Sequence, residues 1–244
     1  MTVTKDPLEN IDSVSKLFDL ADKRIYTKPF NLQKWMYRGD QVYGNKNRLI
    51  PGIGRLLIED TFNGNKNKLL AYERQAFSHF KIKYFTEKNV KDDYIILAAA
   101  QHHGLKTRLL DWSLSLLTAL YFAVEDKRYY NKDGAFYAFQ LPANYIFNDF
   151  PKPSEPLTIK KSDYYFLYTP AISIRIRAQQ AVFQLFTDPF TPFNKGCKLL
   201  KFRIPAKRKE NIKRQLYESG VHAESLFPDL DGICKTINYF SLNQ

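Results

Sequence analysis

The sequence predicts an α+β fold, a single domain in which a mixed, mostly antiparallel sheet is flanked by helices. Helical periodicity dominates the first half of the chain, and short β-like runs bounded by Gly, Pro and Asn dominate the second. No repeat, low-complexity segment or break in composition marks a second domain within the 244 residues. An aromatic content of 15% supplies enough large apolar side chains for a sizeable core.

Residues 8 to 21 read as an opening helix, with Ile11, Val14, Leu17 and Phe18 at helical spacing and Asp12 or Ser13 as its cap. They belong to an N-terminal helical extension over residues 1–33, and the main domain occupies 34–244. Residues 34 to 38 (KWMYR) form a strand ending at Gly39, and DQVYGNKNRLIPGIGR after it reads as a loop. Thr61 to Asn67 is also loop-like. Helices are expected from Leu69 to Tyr84 and over 92 to 101, the second ending before His103-Gly104.

A strand at Thr107 to Trp112 leads into a helix at Leu114 to Glu125, for which Ser113 is the expected N-cap. Asp133-Gly134 turns the chain into a strand at Ala135 to Leu141. Residues 149 to 158, with Pro151, Pro153 and Pro156, read as a surface loop. The signal is β-like from Ser173 onward, with strands at Ala181 to Thr187 and Lys198 to Ile204. A basic helix at Ala206 to Ser219 and a last helix at Asp231 to Phe240 follow.

The formal charge is +12, from 37 Lys and Arg against 25 Asp and Glu. That excess suits an anionic partner, although lysine-rich proteins also carry it with no nucleic-acid role. Cys197 and Cys234 are too few for a disulfide scaffold and lack zinc-site spacing. No apolar run is long enough to span a bilayer, and the polar opening MTVTKDPLENIDS is unlike a signal peptide. A cytoplasmic location with no membrane partner is therefore expected.

Two blocks carry chemistry. In Trp35-Met36-Tyr37-Arg38-Gly39 the strand fixes an arginine, and Gly39 lets the backbone turn away to leave room for a ligand. The planar fork of Arg38 suits phosphate or carboxylate, and a structural ion pair is the alternative. The second block is QHHGLKTRLLDWS, residues 101 to 113. On a strand, Arg108, Leu110 and Trp112 face one way, and Thr107, Leu109, Asp111 and Ser113 the other. Asp111 is either a site carboxylate or the partner of Arg108 or Arg38. Together Arg38, His103, Arg108 and Asp111 are expected to build one polar pocket.

His102 or His103 could serve as a general base, with His103 preferred for the pocket. Neither has metal-ligand spacing, so no metal is expected. Glu73 reads as part of a solvated helix face. Arg175 and Arg177 either line a groove or face water, and turn formation accounts for Asp229 and Asp231 as well as pocket closure does. Lys207, Arg208, Lys209, Lys213 and Arg214 read as a solvated face that could also contact phosphates.

These blocks resemble the FRG domain, a family named for an aromatic-Arg-Gly motif that Tyr37-Arg38-Gly39 matches. QHHGLKTRLLDWS with ALYFA (Ala119 to Ala123), RIRAQQAVF (Arg175 to Phe183) and LFPDLDG (Leu226 to Gly232) complete the resemblance over about residues 34 to 235. More distantly, the order strand-Arg-Gly, strand-Ser-helix, then a late strand with a polar residue near its start is similar to ADP-ribosyltransferases. That similarity implies an ADP-ribosyltransferase-like sheet core with NAD as substrate. It gives Arg38 and Ser113 to binding, and Gly39 and Arg108 are expected beside them from their own blocks. His103, Asp111 and Gln180 (or Gln179) would be catalytic.

The late position holds glutamine where those enzymes hold glutamate, so Asp111 is the leading source of negative charge. The implied function is an ADP-ribosyltransferase or NAD glycohydrolase. It could act as a toxin or phage-defence effector on a nucleic acid or protein, with an antitoxin or defence-system partner. The alternatives are a non-catalytic module that binds a nucleotide or nucleic acid, and a nuclease using His103 with Asp111, or with Asp229 and Asp231.

Overall fold

A computed structural model describes residues 9–26, 35–44, 49–142, 145–151, 155–159, 162, 164–169, 172–192 and 198–241. The expectations for Lys34, Pro153, Cys197 and the first eight residues lie outside them. Six strands form one sheet in the order β4-β5-β2-β1-β3-β6: β1 (Trp35–Asp40), β2 (Leu109–Ser113), β3 (Gly134–Gln140), β4 (Tyr164–Leu167), β5 (Ala181–Phe186) and β6 (Leu199–Ile204). Among the described residues the five ladders between these strands are antiparallel, and a lone bridge of Asn10 to Arg203 is parallel. The helices are α1 (Val14–Leu20), α2 (Gly52–Ile58), α3 (Lys66–Lys88), α4 (Asp93–His102), α5 (Leu116–Val124), α6 (Ile174–Ala178), α7 (Lys209–Glu218), α8 (Ala223–Leu226) and α9 (Leu230–Ser241). Among the described residues no helix is long and apolar enough to cross a membrane.

The sheet is split near its middle. β1 is zipped to β3 from Trp35–Gln140 to Asp40–Ala135, and β2 to β5 from Leu109–Leu185 to Ser113–Ala181. β1 and β2 meet at the single pair Tyr37–Ser113 and then diverge. Residues directly opposite in a ladder share a face, so Tyr37, Ser113 and Ala181 form one row across three strands. The helix-covered face divides accordingly. On one side of the split, Tyr37, Phe136 and Phe202 pack with Leu17, Leu120 and Leu216 of α1, α5 and α7. On the other, Leu109, Phe183 and Leu185 pack with Phe77 and Leu97 of α3 and α4. The opposite sheet face carries Met36, Trp112, Phe139 and Phe166 beneath Leu49, Tyr145 and Phe147.

Four elements depart from the sequence expectation. The stretch from Gly52 is helix α2 rather than loop. Its start is fixed by a hydrogen bond from the Ile53 amide to the Thr107 carbonyl, 3.0 Å, a long-range contact with no local signature. Residues 174–178 form α6, not strand, because Ser173 caps the turn through the Ile176 amide. β4 and α8 add elements that the pattern did not reveal. The N-terminal extension is part of the fold: Ile11 and Arg203 exchange backbone bonds with β6 and Glu9, and the Val14 amide is capped by the Gln215 side chain.

Glu73 and two lysines of the α7 cluster, all expected on solvated faces, are interior, whereas Lys207, Arg208 and Arg214 are exposed as expected. Glu73 falls four residues from both Leu69 and Phe77 and is 2% exposed. It accepts both arms of the Arg108 guanidinium at 2.9 and 2.5 Å, locking α3 to β2. On α7, Lys209 donates to the Gln41 and Tyr129 carbonyls, and Lys213 to the Glu125 carbonyl just beyond α5. These lysines thus tie α7 to the end of α5, to the turn after it and to the loop after β1. Burial pushes Lys209 down to about 8.

Removing one partner of a buried pair strands the other charge. Glu73→Ala should therefore lose about 3–5 kcal/mol in urea unfolding. Glu73→Leu with Arg108→Met should recover most of it, and a double variant as unstable as the single would refute this account.

Candidate functional site

The split opens into a cleft of about 680 Å³, a size that holds a small-molecule ligand. Arg38 sits where β1 leaves β2. Its Nη1 donates to the Asp111 carbonyl at 2.7 Å, so the side chain bridges strands whose backbones no longer pair. Among the described residues its Nε is buried with no partner, a donor still to be satisfied. Facing it, α2 presents Arg55. Burial, and then the nearby Arg38, push that guanidinium down from its ordinary value. Two arginines lining one partly desolvated cleft are the donor set that a divalent or extended anion would require.

Asp111 is the exposed residue of β2 in a strand otherwise buried. It is aimed by a relay: the Thr107 hydroxyl donates to Gln101 Oε1 at 2.7 Å, and Gln101 Nε2 donates to Asp111 Oδ2 at 3.0 Å. Thr107 is itself fixed by the Leu109 amide, 3.1 Å. The QHHGLKTRLLDWS block is thus a helix end, a turn and a strand held to one another, with the carboxylate turned into the cleft.

Arg38, Gly39, Asp111 and Ser113 are brought together; the other expected residues are not. Arg108 does not line the cleft, because Glu73 holds its guanidinium on the α3 side. His102 lines the cleft in place of His103, which is exposed at the end of α4 near the Phe80 ring. Burial, then His103 and Arg175, lower the His102 pKa from its ordinary value, favouring neutral imidazole. Gln179 rather than Gln180 reaches the cleft. Gln180 occupies a left-handed turn at φ 47 with its side chain exposed, whereas Gln179 Nε2 donates to the Leu226 carbonyl at 3.1 Å.

Ser113 is not the N-cap of α5. Ser115 takes that role through the Thr118 amide, and Ser113 Oγ donates to the Gln179 carbonyl at 2.7 Å while accepting from the Ser115 amide. Its hydroxyl ties three cleft segments together. Arg175 lines the cleft with its guanidinium 4.2 Å from the centre of the Phe227 ring, and Arg177 is exposed. Asp229 accepts from the Gly232 amide at the start of α9, the turn-forming role. Sequence reasoning missed Arg55, hidden in a stretch read as loop. Among the described residues no group of three His, Cys, Asp or Glu could hold a metal ion.

Residues 33–132 match the family model described as the FRG domain. The chain carries an FRG domain. The matched span contains β1, α2 to α5 and β2, hence Arg38, Arg55, the relay and Asp111. The later motifs from Arg175 and Leu226 lie beyond it. No curated protein and no solved structure matches the chain.

The glycine that gives the FRG motif its last letter has a packing role. A Cβ at Gly39 would fall on the Ala119 carbonyl oxygen and the Ala123 amide, so α5 can lie against β1 only if this position is bare. Gly39→Ala should cost about 1–3 kcal/mol, read as a lower thermal midpoint. An unchanged midpoint would mean that α5 retreats freely.

Proposed function

We propose that the cleft binds NAD and breaks its nicotinamide–ribose bond. The observation that carries this reading is the row Tyr37–Ser113–Ala181: β1, β2 and β5 are adjacent, and their cleft ends bring Arg38, Asp111 and Gln179 to one opening. These are the three strands from which the resemblance to ADP-ribosyltransferases draws its site. Arg38 and Arg55 would take the pyrophosphate through paired donors. As the bond breaks, its electron pair leaves with nicotinamide and positive charge develops on the ribose. The Asp111 carboxylate, held by Gln101, would stabilise that charge in a partly desolvated cleft. Neutral His102 would accept the proton of the water or other nucleophile that attacks the ribose.

A second reading is nucleotide binding without cleavage. It is favoured by the late strand itself, whose residues lining the cleft are Ala181 and Phe183. Its glutamine, Gln184, is buried with Oε1 accepting from the Trp112 indole at 2.8 Å.

Mass analysis of protein incubated with NAD separates the two. Nicotinamide release should fall about 10²–10³-fold in Asp111→Asn, the scale set by one preorganised electrostatic group. Arg38→Lys should also bind NAD more weakly, because an ammonium does not reproduce the fork. Intact NAD that binds wild type but not Arg38→Lys would select the binding module.

The lowered His102 pKa fixes the sign of the pH response. The rate should hold through neutrality and decline only as pH falls below the ordinary histidine range, with that acid limb absent in His102→Gln. An acid limb unchanged in the variant would remove His102 from the mechanism.

A further inference from the structure

Beyond the cleft lies a second recess of about 570 Å³, between the C-terminal end of α5 and helices α7 and α9. The two cavities share a wall, since Gln41 and Glu125 line both. Four cations, Lys127, Arg128, Lys213 and Lys235, line the recess against two carboxylates, Glu125 and Asp126. The carboxylates are engaged: Asp126 pairs with Arg128 at 2.6 Å, and Glu125 with Lys235 at 3.5 Å.

Lys213 stands apart. It is 7% exposed, and among the described residues it makes no ion pair. Its ammonium has three donors. One goes to the Glu125 carbonyl at 2.7 Å, and the Tyr239 ring centre lies 5.2 Å away. Burial lowers its pKa, a cost that an anion in the recess would offset. Tyr239 is half-buried beside Tyr217, with ring centres 4.0 Å apart, so the cationic wall is paired with an aromatic one. Cations interleaved with aromatic rings suit a phosphate joined to a base better than a bare anion.

We propose that this recess binds a nucleotidyl phosphate, with Lys213 as its buried anchor, and so delivers a nucleotide acceptor to the neighbouring cleft. Delivery rests on the NAD reading above; binding does not. The ligand chemistry is shared by free mononucleotides and by the ends of single strands, which the test keeps apart.

The experiment is fluorescence anisotropy with a labelled short single-stranded oligonucleotide, competed by AMP and run without NAD at several salt concentrations. Lys213→Met should weaken binding roughly tenfold, the scale of one charge-assisted hydrogen bond. Because Lys213 also caps α5, Lys127→Ala with Lys235→Ala serves as the second variant. These lysines are exposed, and their loss should weaken binding and flatten its salt dependence. Competition by AMP at comparable concentration assigns the recess to mononucleotides, and its failure assigns it to strands; either upholds the site. Affinity and salt slope unchanged in both variants overturn it. Nicotinamide release with no binding by either ligand also overturns the recess while leaving the cleft reading intact. Binding that both variants weaken, with NAD untouched, upholds the recess and removes only its role in delivery.

Discussion

The divergence of β1 from β2 after the Tyr37–Ser113 pair governs this molecule. A continuous antiparallel sheet would bury both strand edges in ladder hydrogen bonds and leave no opening. Here the edges part, and one of the freed carbonyls, that of Asp111, is taken by Arg38. The arginine substitutes a side-chain donor for a lost backbone donor, and this props the split open while holding its two halves together. Among the described residues its Nε stays buried and unpartnered. The site and the irregularity in the sheet are therefore one feature.

The two halves need separate anchors because so little ladder joins them. On the β2 side the Glu73–Arg108 pair pins α3 to the strand, and the Thr107–Gln101 relay pins the end of α4 to the same strand. On the β1 side the bare Gly39 lets α5 press onto the backbone, and lysines from α7 close the carbonyls beyond that helix. Apart from the relay, each anchor joins elements distant in sequence. Buried charges used this way hold a particular geometry rather than add much net stability, since desolvation consumes most of the attraction.

Much was legible locally. β1, α3, α4, β2, β3, β5, β6 and α7 lie near their expected bounds because hydrophobic period and turn chemistry act over a few residues. Arg38 and Asp111 were legible as cleft residues because a charged group stood at a strand end or among apolar neighbours. Errors arose where identity depended on a distant partner. Glu73 looked solvated, although its spacing from Leu69 and Phe77 placed it on the buried stripe. Arg108 looked available, but its partner lies 35 residues earlier. His103 and His102 are adjacent, and only the way α4 ends turns one toward the cleft.

By itself the sequence determined the α+β class, the FRG motifs and the two short blocks from which the cleft is made. Those follow from local propensity and from residue types that few other arrangements explain. Only the tertiary structure decided that the sheet splits, that Arg55 faces Arg38, that Gln179 replaces Gln180 at the opening, and that a cationic recess adjoins it. The reason is physical: strand register and helix docking are set by contacts far apart in the chain. A one-residue change in which side chain faces inward leaves no trace in composition or period.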